Sequence, residues 1–147
     1  MAAAVFIDTN VFFYAQDDRF PQKRSIAQNW IRMLAAAGAG VSNLQVMNEF
    51  TNAVFRRMPH LQTGQVFAMA DEIGSFGTAP VSIDTATQAR TLRLANGFSW
   101  WDCLLLASAA ELGCSHFLSE DLHDGQKIGA MTVVDPFLHD PADILGA

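Results

Sequence analysis

The chain has 147 residues, half of them hydrophobic, which predicts a single domain over residues 1–147 with a core of its own. No apolar run approaches the ~20 residues of a membrane helix, and the apolar start lacks a basic region, so we expect a cytoplasmic protein without membrane contact. The net charge of −6 argues against broad, non-specific binding of nucleic acid, although it does not exclude a nuclease.

Short strands and helices alternate along the chain. The predicted strands cover residues 4–8, 41–42, 79–83, 116–119 and 131–134. The predicted helices are a short one directly after residue 8, then residues 22–37, 42–58, 63–74, 84–94 and 100–112. Because short apolar strands separated by helices are typical of a parallel sheet covered on both faces, the pattern predicts an α/β fold.

Side chains that cap helices mark where three of these helices begin. Ser42 and Gln45 have the spacing of a capping box, and so do Ser99 and Asp102. Asp84 is the predicted cap of the helix that follows it. The helix that starts at residue 100 is apolar on all sides, which predicts a buried position.

Four acids interrupt apolar local patterns: Asp8, Glu49, Asp102 and Asp121. Asp8 and Asp121 follow predicted strands, whereas Glu49 and Asp102 lie in the first turns of predicted helices. In open α/β sheets, ligands bind beyond the carboxyl ends of strands, so the four side chains can converge at one edge. Each acid alone has an ordinary explanation as a cap, a turn residue or part of a solvated helix face. If all four acids had only such local roles, their placement at sites that can share one edge of the sheet would be four independent coincidences.

A divalent cation is the natural reason for gathering these acids. Carboxylates in one pocket repel each other, and without a cation at least one is pushed towards its protonated form. Mg²⁺ or Mn²⁺ takes hard oxygen ligands and supports hydrolysis of phosphate esters, with one ion or with two. Thr9 and Ser119 are then candidates to hydrogen-bond a ligand or water from outside the ligand set.

The order and spacing of the motifs around these acids resemble the PIN-domain ribonucleases, particularly the VapC-type toxins of bacterial toxin–antitoxin pairs. The resemblance spans nearly the whole chain. It rests on Phe-Ile-Asp-Thr-Asn at 6–10, Asn-Glu-Phe at 48–50, Ser-Trp-Trp-Asp at 99–102, the segment 117–125 and Asp-Pro-Phe at 135–137.

The resemblance implies a three-layer α/β sandwich, with a short-stranded parallel sheet flanked by helices. It also implies metal-dependent hydrolysis of RNA phosphodiester bonds, a homodimer and a cognate antitoxin as partner. By the same resemblance, the catalytic and metal-binding acids are Asp8, Glu49, Asp102 and Asp121. Asp124 matches a further acid of some members and is a possible fifth metal ligand.

Cations and tryptophans are the candidates for contact with RNA. The available cations are Arg19, Lys23, Arg24, Arg56, Arg57, Arg90 and Arg93. Arg56 and Arg57 stand out because they share a helix with Glu49. Trp100 and Trp101 pack in the core or a dimer interface, or else stack on a base at the rim of the pocket.

Three other functions stay open at this point. A haloacid-dehalogenase-like phosphatase also has an Asp after its first strand, but it needs a second Asp where this chain has Asn10. A local metal site would use His123 with Asp121 and Asp124. A catalytically inactive PIN-like module would act by binding RNA or protein alone.

Overall fold

A computed structural model describes residues 3–146 as a five-stranded sheet with seven helices in that range. The strands are β1 (Val5–Ile7), β2 (Gly40–Val41), β3 (His116–Leu118), β4 (Lys127–Ile128) and β5 (Met131–Val134). The helices are α1 (Thr9–Tyr14), α2 (Pro21–Ala36), α3 (Leu44–Arg57), α4 (Thr63–Gly74), α5 (Ile83–Ala95), α6 (Trp100–Glu111) and α7 (Ala142–Leu145). The strand order is β2-β1-β3-β5-β4, with every pair parallel except β4 and β5. The predicted α/β fold with a short, largely parallel sheet is confirmed.

The central strands are buried on both faces. All three residues of β1 are fully buried, although successive side chains of a strand point to opposite faces. Phe6 of β1 stacks on Phe117 of β3 with ring centroids 5.3 Å apart. In the parallel register Ile7 lies opposite Leu118, so the two strands end side by side. The residues that follow them, Asp8 and Ser119, therefore meet at the same edge of the sheet.

Helix α3 begins with a different cap from the predicted one. The Asn43 side chain, not that of Ser42, accepts a hydrogen bond from the Val46 N–H at 2.9 Å. The same side chain donates to Ser108 Oγ of α6 at 2.8 Å, and both residues are buried. Asn43 is the cap because only this register lets the side chain serve α3 and α6 together.

The predicted strand at residues 79–83 is wrong. An isolated parallel bridge between Asn43 and Ala79 is its only pairing within the described residues, and Ile83 already begins α5. Ser82 caps α5 through a reciprocal hydrogen-bond pair with Thr85, so the prediction of Asp84 as the cap is also wrong. The Ser82 cap starts a helix at Ile83, within the apolar run that predicted a strand. A run of this length does not distinguish a strand from the start of a helix.

Two small elements had no sequence prediction. β4 turns back onto β5 through a two-residue turn in which Gly129 has φ of +61°, a conformation that favours glycine. Helix α7 has only four residues. Apart from α7, the described helices match predicted ones, and none in residues 3–146 has the length and apolar character needed to cross a membrane.

Candidate active site

The four predicted acids line one cavity of about 310 Å³ beyond the carboxyl ends of β1 and β3. Asp8 follows β1, Asp121 follows β3, Glu49 projects from α3 and Asp102 from α6. The convergence expected from the sheet topology is therefore present in the structure. We call these four residues the cavity acids and this space the acidic cavity.

Asp8 is the most buried of the cavity acids and the most firmly held. Its Oδ1 accepts a hydrogen bond from the Thr9 N–H at 2.7 Å. Its Oδ2 accepts from Ser119 Oγ at 2.8 Å and from Asn10 Nδ2 at 3.2 Å. These donors fix both oxygens of the carboxylate at the floor of the cavity.

Asn10 joins the two strand ends. Its Nδ2 lies 3.2 Å from Asp8 Oδ2, 3.1 Å from Asp121 Oδ2 and 3.0 Å from Ser119 Oγ. Its Oδ1 accepts from the Glu120 N–H at 3.2 Å, which orients the amide so that the nitrogen faces the acids. Ser119 Oγ also accepts from the Asp121 N–H at 3.1 Å. The two strand-end acids are thus positioned by one amide and one hydroxyl.

Glu49 lies in the second turn of α3, not in the first turn that the sequence predicted, because the helix begins at Leu44. Its Oε2 accepts from Gln45 Nε2 at 2.6 Å, and its Oε1 lies 3.4 Å from Thr9 Oγ1. Gln45 Nε2 also lies 3.2 Å from the backbone oxygen of Trp101. Gln45 therefore links α3 to the first turn of α6 at the wall of the cavity.

Asp102 occupies the first turn of α6, as predicted. The Ser99 hydroxyl accepts a hydrogen bond from the Asp102 N–H at 3.1 Å and caps the helix. The reciprocal bond of a capping box, from the Ser99 N–H to the Asp102 carboxylate, is absent from this described segment. The half-buried carboxylate is available to the cavity.

Burial and mutual repulsion raise the proton affinity of this site. Burial, together with the charges of Asp102 and Asp121, raises the pKa of Asp8 to about 7 despite its hydrogen bonds. Burial and the charge of Asp102 raise the pKa of Glu49, and burial and the charge of Asp121 raise that of Asp102. The arrangement is electrostatically unfavourable until positive charge enters the cavity.

The opposite side of the cavity is cationic and aromatic. The Arg57 guanidinium lies 5.1 Å from the centroid of the Phe13 ring, and that of Arg19 lies 5.5 Å from that of Phe20. Arg19 is held by a two-pronged contact with Asp17, with both N–O distances at 2.9 Å. Arg57 makes no salt bridge with any described residue, so its charge is free to meet an anion.

Asp124, the possible fifth ligand, does not line this cavity. Its Oδ1 accepts from the Asp135 N–H at 2.9 Å, and its Oδ2 lies 2.9 Å from His139 Nε2. These contacts lower the pKa of Asp124, the backbone hydrogen bond first. Its carboxylate ties the loop between β3 and β4 to the segment that follows β5, and its role as a metal ligand stays a prediction.

The cavity acids fit a hard divalent cation in chemistry and in placement, since all four are oxygen donors on one cavity. Between residues 3 and 146, however, no group of three or more His, Cys, Asp or Glu side chains is arranged to hold an ion as it stands. Asp8 and Asp121 both accept from Asn10, and Glu49 accepts from Gln45, so neutral donors occupy oxygens that a cation would need.

A protein-family comparison identifies residues 5–123 as a PIN domain. The chain belongs to the PIN domain family. All four cavity acids fall within the matched residues, and the match favours the nuclease interpretation over a dehalogenase-like phosphatase. Comparison with curated proteins gives no match.

Solved structures support the PIN fold. A toxin–antitoxin complex from Klebsiella pneumoniae is 22% identical with a TM-score of 0.61, covering 91% of this chain and 98% of that one. VapBC2 from Rickettsia felis, bound to a DNA fragment from its promoter, is 15% identical with a TM-score of 0.62, covering 88% and 96%. VapC20 from Mycobacterium tuberculosis, described as a sarcin-ricin loop cleaving toxin, is 17% identical with a TM-score of 0.57, covering 84% and 92%. At these identities the likeness shows the fold.

Two residues of this PIN domain site escaped the sequence interpretation. In the sequence, Asn10 stands out only in the Asp-Thr-Asn motif and against the phosphatase alternative, although its place two residues after Asp8 puts it at the same strand end. Gln45 was assigned to a capping box, although it lies four residues before Glu49 on one helix. That spacing brings two side chains together and was a usable signal.

Proposed function

We propose that this PIN domain is a metal-dependent endoribonuclease that hydrolyses RNA phosphodiester bonds in the acidic cavity. The observation that carries the proposal is the gathering of four carboxylates in one cavity, with the pKa of Asp8 raised to about 7. Perturbed acids without cationic partners in a cleft are typical of a reacting site. Asp8, Glu49, Asp102 and Asp121 are the proposed catalytic acids and metal ligands.

Each part of the cavity has a task in this proposal. Bound there, Mg²⁺ or Mn²⁺ would supply positive charge that lowers the pKa of water and offsets the charge on the phosphodiester. Asp8 presents its carboxylate in the one orientation that its hydrogen bonds with Thr9 and Ser119 allow. Thr9 and Ser119 thereby orient the ligand set from outside it.

The net charge of −6 is unfavourable for binding RNA, but the acidic cavity also has cationic residues in its lining. Arg57 and Arg19 bring positive charge to the cavity that holds the acids. Phosphate contacts supply much of the affinity in RNA and DNA binding. We assign Arg57 to the phosphate next to the cleaved bond, because Asp17 already neutralises Arg19.

We further propose that the chain is the toxin of a type II toxin–antitoxin pair, with a cognate antitoxin as partner, and that it forms a homodimer in the cytoplasm. The support is that one similar structure is described as a toxin–antitoxin complex and another as a toxin, while the third is VapBC2 bound to a promoter DNA fragment. Two strongly exposed apolar side chains of α5, Ile83 and Leu94, are consistent with a protein interface.

Cleavage of RNA by purified protein tests the nuclease proposal. Asp8→Asn and Asp102→Asn should each lower Mg²⁺- or Mn²⁺-dependent cleavage by at least about a thousandfold, because both lose a charge that the cation needs. Each variant should keep the circular-dichroism spectrum of the wild type. Asp84→Asn, the same change on an exposed acid of α5, is the matched control and should cleave normally. Full activity of Asp8→Asn or Asp102→Asn would refute the site.

Overproduction in bacteria tests the toxin proposal separately. The wild-type chain should arrest growth, Asp8→Asn should not, and co-expression of the neighbouring antitoxin gene should relieve the arrest. A soluble wild type that neither cleaves RNA nor affects growth would favour an inactive PIN-like module that acts by binding. A wild type that cleaves RNA without toxicity would point to a nuclease outside toxin–antitoxin systems.

A further inference from the structure

A second and larger cavity, of about 740 Å³, adjoins the acidic cavity. Glu49 lines both spaces, so the two meet along α3. Its volume lies in the range of pockets that take small organic ligands. None of the other cavity acids lines it, which shows that the second cavity is a space of different chemical character.

One wall of this cavity is a polar stripe on α3. Asn48, Asn52 and Arg56 follow at four-residue spacing, which places them on one face of the helix, and all three are exposed. Each amide offers both donors and an acceptor, and the guanidinium is a fixed cation. Arg56 makes no salt bridge within the described residues. The stripe can therefore bind a group that carries both hydrogen-bond donors and acceptors and has a negative charge nearby.

The facing wall is apolar and includes an aromatic plane. Trp101, in the first turn of α6, is 63% exposed, and Val81 and Leu104 lie beside it. The alternative that Trp101 packs in the core is therefore excluded. The Trp101 backbone is held close to Glu49, because its oxygen accepts from Gln45, which also donates to Glu49. An indole at this position offers a face on which a flat ring can stack.

We propose that the larger cavity is a nucleotide subsite, in which Trp101 stacks on a base flanking the cleaved phosphodiester of single-stranded RNA. Asn48 and Asn52 hydrogen-bond the edge of that base, and Arg56 pairs with a phosphate further along the strand. This inference rests on the proposed ribonuclease function. It assigns base selection to residues outside the hydrolytic site.

The geometry favours a nucleic-acid strand over a protein segment. Glu49 lines both cavities, so a strand whose phosphate lies among the cavity acids reaches the larger cavity by continuing past Glu49. From Glu49 to Arg56 the helix rises about 10 Å, which accommodates two or three stacked nucleotides. Along α3 the lining runs from Gln45, which contacts the Trp101 backbone, through the two amides to the cation of Arg56, and this order suits a base followed by a phosphate.

Cleavage of a fully randomised pool of single-stranded RNA, with the cut ends sequenced, tests the subsite on the full-length protein. Wild type should show a base preference at a position next to the cut. Asn48→Ala and Asn52→Ala should flatten that preference. Trp101→Ala should raise KM by about tenfold with little change in kcat, and Trp101→Phe should recover most of the loss because it keeps a stacking face.

Cation variants supply the matched control. Arg56→Ala should weaken binding of the same RNA pool by several-fold and reduce the salt dependence of binding. Arg90→Ala removes an equal charge from α5, at a position that does not line the larger cavity. It should change neither the affinity for RNA nor the salt dependence of binding. Binding is measured in an Asp8→Asn background so that the RNA stays intact.

The outcomes separate this inference from the proposed function. If wild type cleaves the pool but the α3 and Trp101 variants keep its base profile and its KM, the subsite is refuted while the nuclease stands. If Trp101→Ala cleaves RNA normally but no longer binds its antitoxin, the cavity takes a protein segment and the inference is overturned. If wild type cleaves no RNA, the proposed function fails and the subsite falls with it.

Discussion

Eight of the fifteen acids of this protein form two groups with opposite electrostatics. We call Asp17, Asp18, Glu120 and Asp124 the paired acids, since each lies against a cationic side chain or a histidine. Among the described residues, no salt bridge reaches any of the cavity acids. The paired acids are neutralised by the chain itself, whereas the cavity acids accept only from neutral amides, hydroxyls and backbone N–H groups.

The proton affinities follow the same division. Hydrogen bonds with Arg19 lower the pKa of Asp17, and contacts with Asp135 and His139 lower that of Asp124. Burial, with repulsion between neighbours, instead raises the pKa of Asp8, Glu49 and Asp102. The paired acids therefore stabilise the fold. The cavity acids destabilise it when ionised, and a bound cation would offset that loss of stability.

The largest expected effect is on the pH dependence of stability in the presence of a chelator. Folded Asp8 keeps its proton up to pH about 7, whereas in the unfolded chain it releases the proton near its usual pKa of 3.8. Between those values the folded state binds more protons, so stability should fall as pH rises from about 4 to 7 and level off above. The change amounts to about 4 kcal/mol at most for Asp8 alone.

Urea denaturation across this pH range measures the effect. Asp8→Asn should flatten the decline, because an amide does not titrate, and should be at least as stable as wild type at pH 7. Mg²⁺ or Mn²⁺ should restore wild-type stability at pH 7 and have little influence on Asp8→Asn. Equal pH profiles for the two proteins would contradict a raised Asp8 pKa and the electrostatic difference between the cavity acids and the paired acids.

A smaller effect in the opposite direction is expected for a paired acid. Asp17→Asn should lower the free energy of unfolding by about 1–3 kcal/mol, because the side chain is buried and accepts three hydrogen bonds from Arg19. Asp18→Asn is the control, because Asp18 is exposed and pairs with Arg24 at the surface, where such pairs contribute at most about 1 kcal/mol. A gain in stability for Asp17→Asn would contradict the claim that the paired acids, unlike the cavity acids, stabilise the fold.

The sequence was sufficient to predict which strands and helices carry the cavity acids, and it allowed their convergence without showing it. A strand-end acid needs only the strand pattern and the parallel sheet, so Asp8 and Asp121 could be placed together in advance. Asp102 followed from the cap at Ser99. The predicted turn of Glu49 was wrong, because it depends on where α3 begins.

What the sequence could not predict depends on contacts between distant segments. Asn43 rather than Ser42 caps α3 because Ser108, far along the chain, receives the same amide. The division of acids into paired and unpaired also needs tertiary structure, since Lys23 reaches Glu120 across 97 positions. No local pattern distinguishes Glu120, which is neutralised, from its neighbour Asp121, which is not.

The smallest expected effect concerns Asp124, the possible fifth metal ligand, which lies outside the acidic cavity. Asp124 raises the pKa of His139 through their hydrogen bond, so Asp124→Asn should return the His139 pKa towards its usual 6.5. The pair stabilises the fold while His139 is protonated, and this contribution should disappear as pH rises through the raised His139 pKa. Because the partners are partly exposed, the stability change should stay below about 1 kcal/mol.

An NMR titration of the His139 ring measures this pKa directly. Asp143→Asn is the control, since Asp143 lies 4.0 Å from the same ring and should shift the His139 pKa less. Retention of RNA cleavage by Asp124→Asn, with the lowered His139 pKa, would place Asp124 with the paired acids. Loss of metal-dependent cleavage with an unchanged His139 pKa would instead indicate that Asp124 acts with the cavity acids in binding the metal. Its contact with His139 would then contribute nothing to the His139 pKa.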